Sequence, residues 1–104
     1  MAYSLLAHKK GSLNWEKFKD SFMSISEGSI EVFPISIEEE ENESCIGISI
    51  PTTSLQADPD IWIKIIKIVK ICSSDFSLMV YDLYSGQYIF DENLQTLKKN
   101  ILGE

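Results

Sequence analysis

The sequence predicts an α+β fold, an antiparallel sheet of about four to five strands packed with three helices in the order (β)αββαββα. Three observations predict it. Alternating apolar residues mark two pairs of short strands, and each pair is joined closely enough to form a hairpin. Two further segments, and a third near the C-terminus, carry apolar residues at helical spacing. Apolar residues make up 44% of 104 residues. That is enough for one core, so residues 1–104 are read as a single domain and not as a disordered chain.

The elements follow in order. Residues 2–8 read as a short strand, ended by Gly11. Residues 15–26 read as a helix. Asn14 is a suitable N-cap, and Leu13 stands at staple spacing from Phe18. Trp15, Phe18, Phe22 and Ile25 share one helical face, while Glu16, Lys19 and Asp20 face away. Gly28 suits the residue just past the helix end. Ile30, Val32, Ile35 and Ile37 mark a strand in which Pro34 shifts the phase, and a proline inside a strand points to a sheet edge or a bulge. Cys45, Ile46, Ile48 and Ile50 mark its partner, with residues 38–44 as an acidic hairpin connection and residues 51–58 as a polar linker.

A second helix is expected from Asp58 as N-cap and Pro59 at the first helical position, with Asp60 in the first turn. Its isoleucines would equally suit a strand, but Lys64, Lys67 and Lys70 recur every three residues. That spacing sets the lysines on one side and Ile61, Ile65, Ile68 and Cys72 on the other. Ile63 and Ile71 then fall among the lysines, exposed or covered by a partner. Residues 76–83 and 87–90 read as strands joined at Tyr84-Ser85-Gly86, with Tyr81 and Phe90 packing inward and Tyr84 and Tyr88 exposed. A last helix, capped by Asp91 or Asn93, runs to Leu102 and ends at Gly103.

Charge is the most informative feature for function. The chain has nine lysines, no arginine, sixteen acids and a formal net charge of −7. Between Lys19 and Lys64 there is no cation, and ten acids stand there: Asp20, Glu27, Glu31, Glu38, Glu39, Glu40, Glu41, Glu43, Asp58 and Asp60. A segregated negative field attracts cationic partners and repels nucleic acid and anionic lipid. The Glu38–Glu41 run with Glu43 therefore reads as a claw for a basic protein, against its ordinary role as a solvated loop that keeps an edge hairpin soluble. It lacks the alternating acids and central glycine of an EF-hand loop. Glu31, Asp58 and Asp60 join it as candidate partner-binding acids. Tyr84 and Tyr88 join as aromatic anchors, since tyrosine buries area at low entropic cost.

No catalytic set accompanies the acids. There is no Ser-His-Asp or Cys-His signature, no phosphate loop and no dinucleotide fingerprint. His8 is the only histidine and reads as a surface residue. One histidine and two separated cysteines are a poor supply for zinc. Cys45 and Cys72 both sit beside isoleucine and read as small buried hydrophobes, not a disulfide. No export signal is visible, and the apolar segment 61–72 is interrupted by three lysines, too often to span a bilayer. The expectation is a cytoplasmic binding module without enzyme activity, metal or cofactor.

Size, acidity, the missing catalytic motif and the isoleucine- and serine-rich α+β pattern resemble small immunity proteins of bacterial toxin–immunity systems, including contact-dependent growth inhibition. The segment Val80-Tyr81-Asp82-Leu83-Tyr84-Ser85-Gly86-Gln87-Tyr88 is similar to Tyr-Asp-x-x-x-Gly hairpins of such proteins. The resemblance implies a monomer that neutralises a cognate toxin, a basic nuclease domain in the usual case, by blocking its active site or an adjacent exosite. The alternative is an acidic chaperone of the type III secretion kind, usually a dimer, holding an unfolded effector segment against patches such as Ile63 and Ile71.

Overall fold

The structure is a computed structural model that describes residues 2–35 and 43–103. The N-terminal strand β1 (Ala2–Lys10) is its centre. One hairpin, β2 (Glu31–Ile35) and β3 (Glu43–Pro51), pairs with one side of β1, and the other, β4 (Met79–Asp82) and β5 (Gln87–Tyr88), pairs with its opposite side. The sheet order is β2-β3-β1-β4-β5, antiparallel throughout. Pro34 thus sits on an edge strand, where its missing N–H costs least. The expected α+β class and antiparallel sheet are found, with β1 two residues longer than the sequence suggested.

Local chemistry explains the first helix, α1 (Trp15–Ser26). Asn14 Oδ1 accepts the Lys17 N–H at 3.1 Å, which satisfies one of the unpaired donors at the helix start. Phe18 and Phe22 are buried, and Trp15, Ile25 and Leu13 pack against the same core. The helix ends through Glu27 and Gly28, both at positive φ.

The linker expected at 51–58 is instead a short helix, α2 (Thr52–Ala57). It buries no residue, so no apolar periodicity announces it. With it the described residues hold four α-helices, the three expected and this shorter one.

The next helix, α3 (Ile61–Lys70), begins later than expected. Asp60, not Asp58, is its N-cap residue, and Asp58 Oδ1 accepts the Asp60 N–H at 2.9 Å in the turn before it. Its buried side, Ile61, Ile65 and Ile68, is the one that lysine spacing identified, and Ile63 is exposed. The helix widens into a π turn, Ile71–Asp75, where Ser73 Oγ donates back to the Val69 and Lys70 carbonyls. That turn uses up Phe76, so the strand expected at 76–83 is confined to Met79–Asp82.

Phe90 was expected to pack inward and is exposed, because alternation from the outward Tyr88 turns Ile89 into the core, its N–H on the Val80 carbonyl at 2.8 Å, and Phe90 out again. Asn93 is the N-cap residue of α4 (Leu94–Leu102), but its amide reaches backward. Oδ1 accepts the Phe90 N–H at 2.7 Å, and Nδ2 donates to the Tyr88 carbonyl at 2.8 Å.

Strand parity assigns the two faces of the sheet. Leu5, Ala7, Ile46, Ile48, Ile50 and Val80 point to one face and join Phe18, Phe22, Ile65, Ile68, Leu97 and Ile101 in a single core. Asp82 also lies on that face and is fully buried. Its carboxylate accepts the Tyr3 hydroxyl at 2.6 Å, the Ser85 hydroxyl at 2.9 Å and the Tyr84 N–H at 2.9 Å, while the Gly86 N–H returns to its carbonyl. The Tyr-Asp-x-x-x-Gly pattern is therefore a turn-closing device, with Gly86 in the left-handed region. Burial, followed by the hydrogen bond to Asp82, pushes the Tyr3 phenol above its ordinary range.

Two outcomes follow. Asp82→Ala orphans the Tyr3 hydroxyl and the Tyr84 N–H, and should lower unfolding free energy by about 3 kcal/mol in urea denaturation, with Asp82→Asn losing less. Cys45 and Cys72 are buried and unpaired; burial pushes both thiols up, that of Cys72 to about 12. A thiol reagent should therefore titrate neither in the folded protein and both in denaturant.

Candidate protein-binding site

The ten acids of the lysine-free window do not gather on one surface. Glu38, Glu39, Glu40 and Glu41 lie outside the described residues, in the segment that joins the antiparallel strands β2 and β3. Glu43 stands at the end of β3 next to that segment. Glu31 stands at the far end of the hairpin, opposite Ser49. Six residues of strand separate the positions of the two, roughly 20 Å at the rise of an extended chain.

A second acidic group lies where α1 gives way to β2 and the chain enters α3. Glu27, Asp58 and Asp60 line a shallow cleft of about 510 Å³ together with Ser29, Thr53 and Lys64. Asp58 is already occupied there. Its Oδ2 accepts the Lys64 ammonium at 2.6 Å and the Ser29 hydroxyl at 2.6 Å. These bonds, with the Asp60 N–H on Oδ1, hold the carboxyl down at about 2. Lys64 is pushed up, first by its hydrogen bond to Asp58. It is therefore not one of three solvated lysines: only 15% of its side chain is exposed, whereas Lys67 and Lys70 are exposed. Asp60 remains exposed beside it.

The tyrosines also part. Tyr84 is exposed on the β4–β5 turn, its ring 5.6 Å from that of Tyr3 over a small groove lined by Ala2, Ser4 and Leu83. Tyr88 lies on the sheet face opposite the core, opposite Tyr81, whose ring meets it edge-on at 5.1 Å.

Tyr88 and Glu43 do come together, through His8. His8 Nδ1 lies 2.9 Å from Glu43 Oε1, and Nε2 lies 3.0 Å from the Tyr88 hydroxyl. A carboxylate accepts, so the hydrogen of this bond is on Nδ1, and Nε2 shares the second bond with the Tyr88 hydroxyl. This chain of hydrogen bonds crosses from β3 over β1 to β5. It makes the supposed surface histidine the polar centre of the sheet face. Around it stand Phe33 and Met79, both exposed, which the sequence reading left aside. Their signal was available in outline: once Leu5 and Ala7 are inward, alternation turns Leu6 and His8 outward.

No known protein family, characterised protein or solved structure matches this chain. Among the described residues no group of three or more His, Cys, Asp or Glu side chains is placed to hold a metal ion, and no helix is long and apolar enough to cross a membrane. The arrangement sets acids at the two ends of the hairpin, Glu31 and Glu43, and an aromatic, hydrogen-bonded surface between them.

The Asp58 cluster has a defined pH signature. A carboxyl held below its unfolded value of 3.8 contributes stability above that value and loses it as pH falls to about 2. Wild type should therefore exceed Asp58→Asn in stability at neutral pH. The difference should persist to about pH 4 and close between there and about pH 2 in urea titrations.

Proposed function

We propose that this chain is a cytoplasmic immunity protein, a stoichiometric inhibitor that binds and neutralises a cognate, basic toxin domain, such as a nuclease, by covering its active site or an adjacent exosite. One observation carries the reading. The hairpin whose connecting segment holds Glu38–Glu41 flanks a sheet face with exposed aromatic side chains, and no described group of His, Cys, Asp or Glu side chains is placed there to hold a metal ion. A basic nuclease cleft binds phosphate, and clustered carboxylates can stand in for that charge while raising the rate of encounter. The division of the acids narrows the claim. Glu38–Glu41 act with their sequence neighbour Glu43, Glu31 and Asp60 stand apart from Glu43, and Asp58 serves α3. Tyr88 belongs with Glu43; Tyr84 does not.

A chaperone reading draws on Ile63, which is exposed on α3. Ile71 is half-buried in the π turn, so of the two helix residues that reading drew on only Ile63 stays exposed. A monomer in sedimentation would argue against it further.

The test is recovery of the partner. Tagged protein incubated with lysate of its own source cells should retain a basic protein at low salt, and this protein should lose its toxic activity at one-to-one stoichiometry. Retention of an unfolded acidic segment would favour the chaperone instead. With the partner in hand, replacing Glu38 to Glu41 by lysine should slow association on the order of tenfold at 0.1 M salt. The gap should close near 1 M, where the screening length falls from about 10 Å to about 3 Å. Equal association rates at low salt would remove the acidic run from the mechanism.

A further inference from the structure

Among the described residues, one face of the sheet is covered by helices and the other is not. Residues of α1, α3 and α4 meet the sheet in one core, all on the side of Leu5 and Ile48. A solvated antiparallel face ordinarily alternates to polar residues. Here the outward positions include Leu6, Phe33, Ile35, Met79, Tyr81 and Tyr88.

The register lines them up. Phe33, Gly47, Leu6, Tyr81 and Tyr88 are successive partners across all five strands, and Ile35, Cys45, His8 and Met79 form the adjacent row. The first row spans four strand spacings, about 19 Å. It is an apolar stripe with polar residues on both sides: Glu31, Ser49 and Ser4 along one margin, Glu43 and Lys10 along the other. An apolar centre within a polar rim is the anatomy of a binding interface.

The stripe is also held in place. A Cβ on Gly47 would lie 2.4 Å from Phe33 Cε2, so the Phe33 ring rests in the space the glycine leaves open. Tyr88 is fixed by its hydroxyl to His8, and His8 by Glu43. Side chains already ordered lose little entropy when a partner arrives. Their exposure is substantial, 47% for both Phe33 and Met79 and 38% for Tyr88.

We infer that this stripe is the docking surface, and that its occupant is a cationic amphipathic protein segment that sets apolar side chains along the row and lysine or arginine against Glu31 and Glu43. The inference rests on the proposed inhibitory role and adds to it the surface and the chemistry of the partner. Charge selects the occupant. A second copy would bring another net −7, and charge of that size keeps proteins apart. Lys10 is the one rim cation among the described margin residues, faced by Glu43 across the strands. A helix of about 12 residues covers the length of the row.

The test uses isotope-labelled protein and a synthetic peptide of about 14 residues with leucine, tryptophan and lysine at helical spacing. A control peptide carries glutamate for lysine. Amide shifts should centre on Leu6, Phe33, Met79, Tyr81 and Tyr88, and the control should not bind. Phe33→Ala and Met79→Ala should each weaken binding about tenfold, as loss of an interface anchor does, with unchanged circular dichroism because both side chains are half-exposed. Shifts centred on the helices or on the Asp58 cleft, equal binding of the control, no binding at millimolar peptide, or a dimer that covers the stripe would each overturn the inference. The two readings separate cleanly. A Phe33→Ala, Met79→Ala double variant that still neutralises the toxin would refute the docking face and leave the inhibitory role standing. Peptide binding at the stripe with a captured partner that is an effector and not a toxin would do the reverse.

Discussion

Everything in this fold is assembled on β1. The two hairpins are distant in sequence and share no strand pairing of their own. They belong to one sheet because β1 pairs with β3 along its whole length and with β4 along its middle. Side chains reinforce the backbone ladder on both faces. On the core side Tyr3 reaches the buried Asp82, and on the open side His8 reaches Glu43 in β3 and Tyr88 in β5. A strand that must be central on both edges and tied on both faces has only one usable register. A slip by one residue would turn Leu5 and Ala7 to solvent.

A single layer of helices follows from that centre. Each helix–strand–strand unit contributes one long amphipathic helix, and both helices fall on the same side of the sheet, where α4 closes the core. A two-layer fold leaves the other face to solvent or to a partner. On this chain the free face is not the polar surface such an arrangement usually displays. Its apolar row is supported from beneath by a glycine and secured laterally by a histidine, which relates the covered half of the molecule to the recognition role proposed for the uncovered half.

The polar architecture divides the acids by task. Asp82 closes a turn from within the core, and Asp58 locks the entry to α3 through Lys64 and Ser29. Glu43 orients a histidine. Asp82 and Asp58, each held by several donors, contribute in this way to stability and register and are poorly placed to recruit a distant cation, whereas Glu43 stands at the margin of the open face beside its histidine. Net negative charge in a sequence is thus an upper bound on the charge a surface presents.

Local information was sufficient for the elements whose cause is local. The Asn14 cap and the spacing of Phe18 and Phe22 determined α1, the three-residue lysine spacing determined the buried side of α3, and Pro34 marked an edge. The helix at Thr52–Ala57 was not legible, since a helix of six residues that sets only Leu55 against the core has no periodicity to read. Phe90 was misplaced because it shares its parity with the outward Tyr88, and Ile89 between them is the residue that alternation turns inward. Which acids are paired, which sheet face is left open and why the lone histidine matters were decided by tertiary structure alone. Those properties depend on residues as far apart as Tyr3 and Asp82, or His8 and Tyr88, and pairing across such distances is set by strand order, which no local pattern encodes.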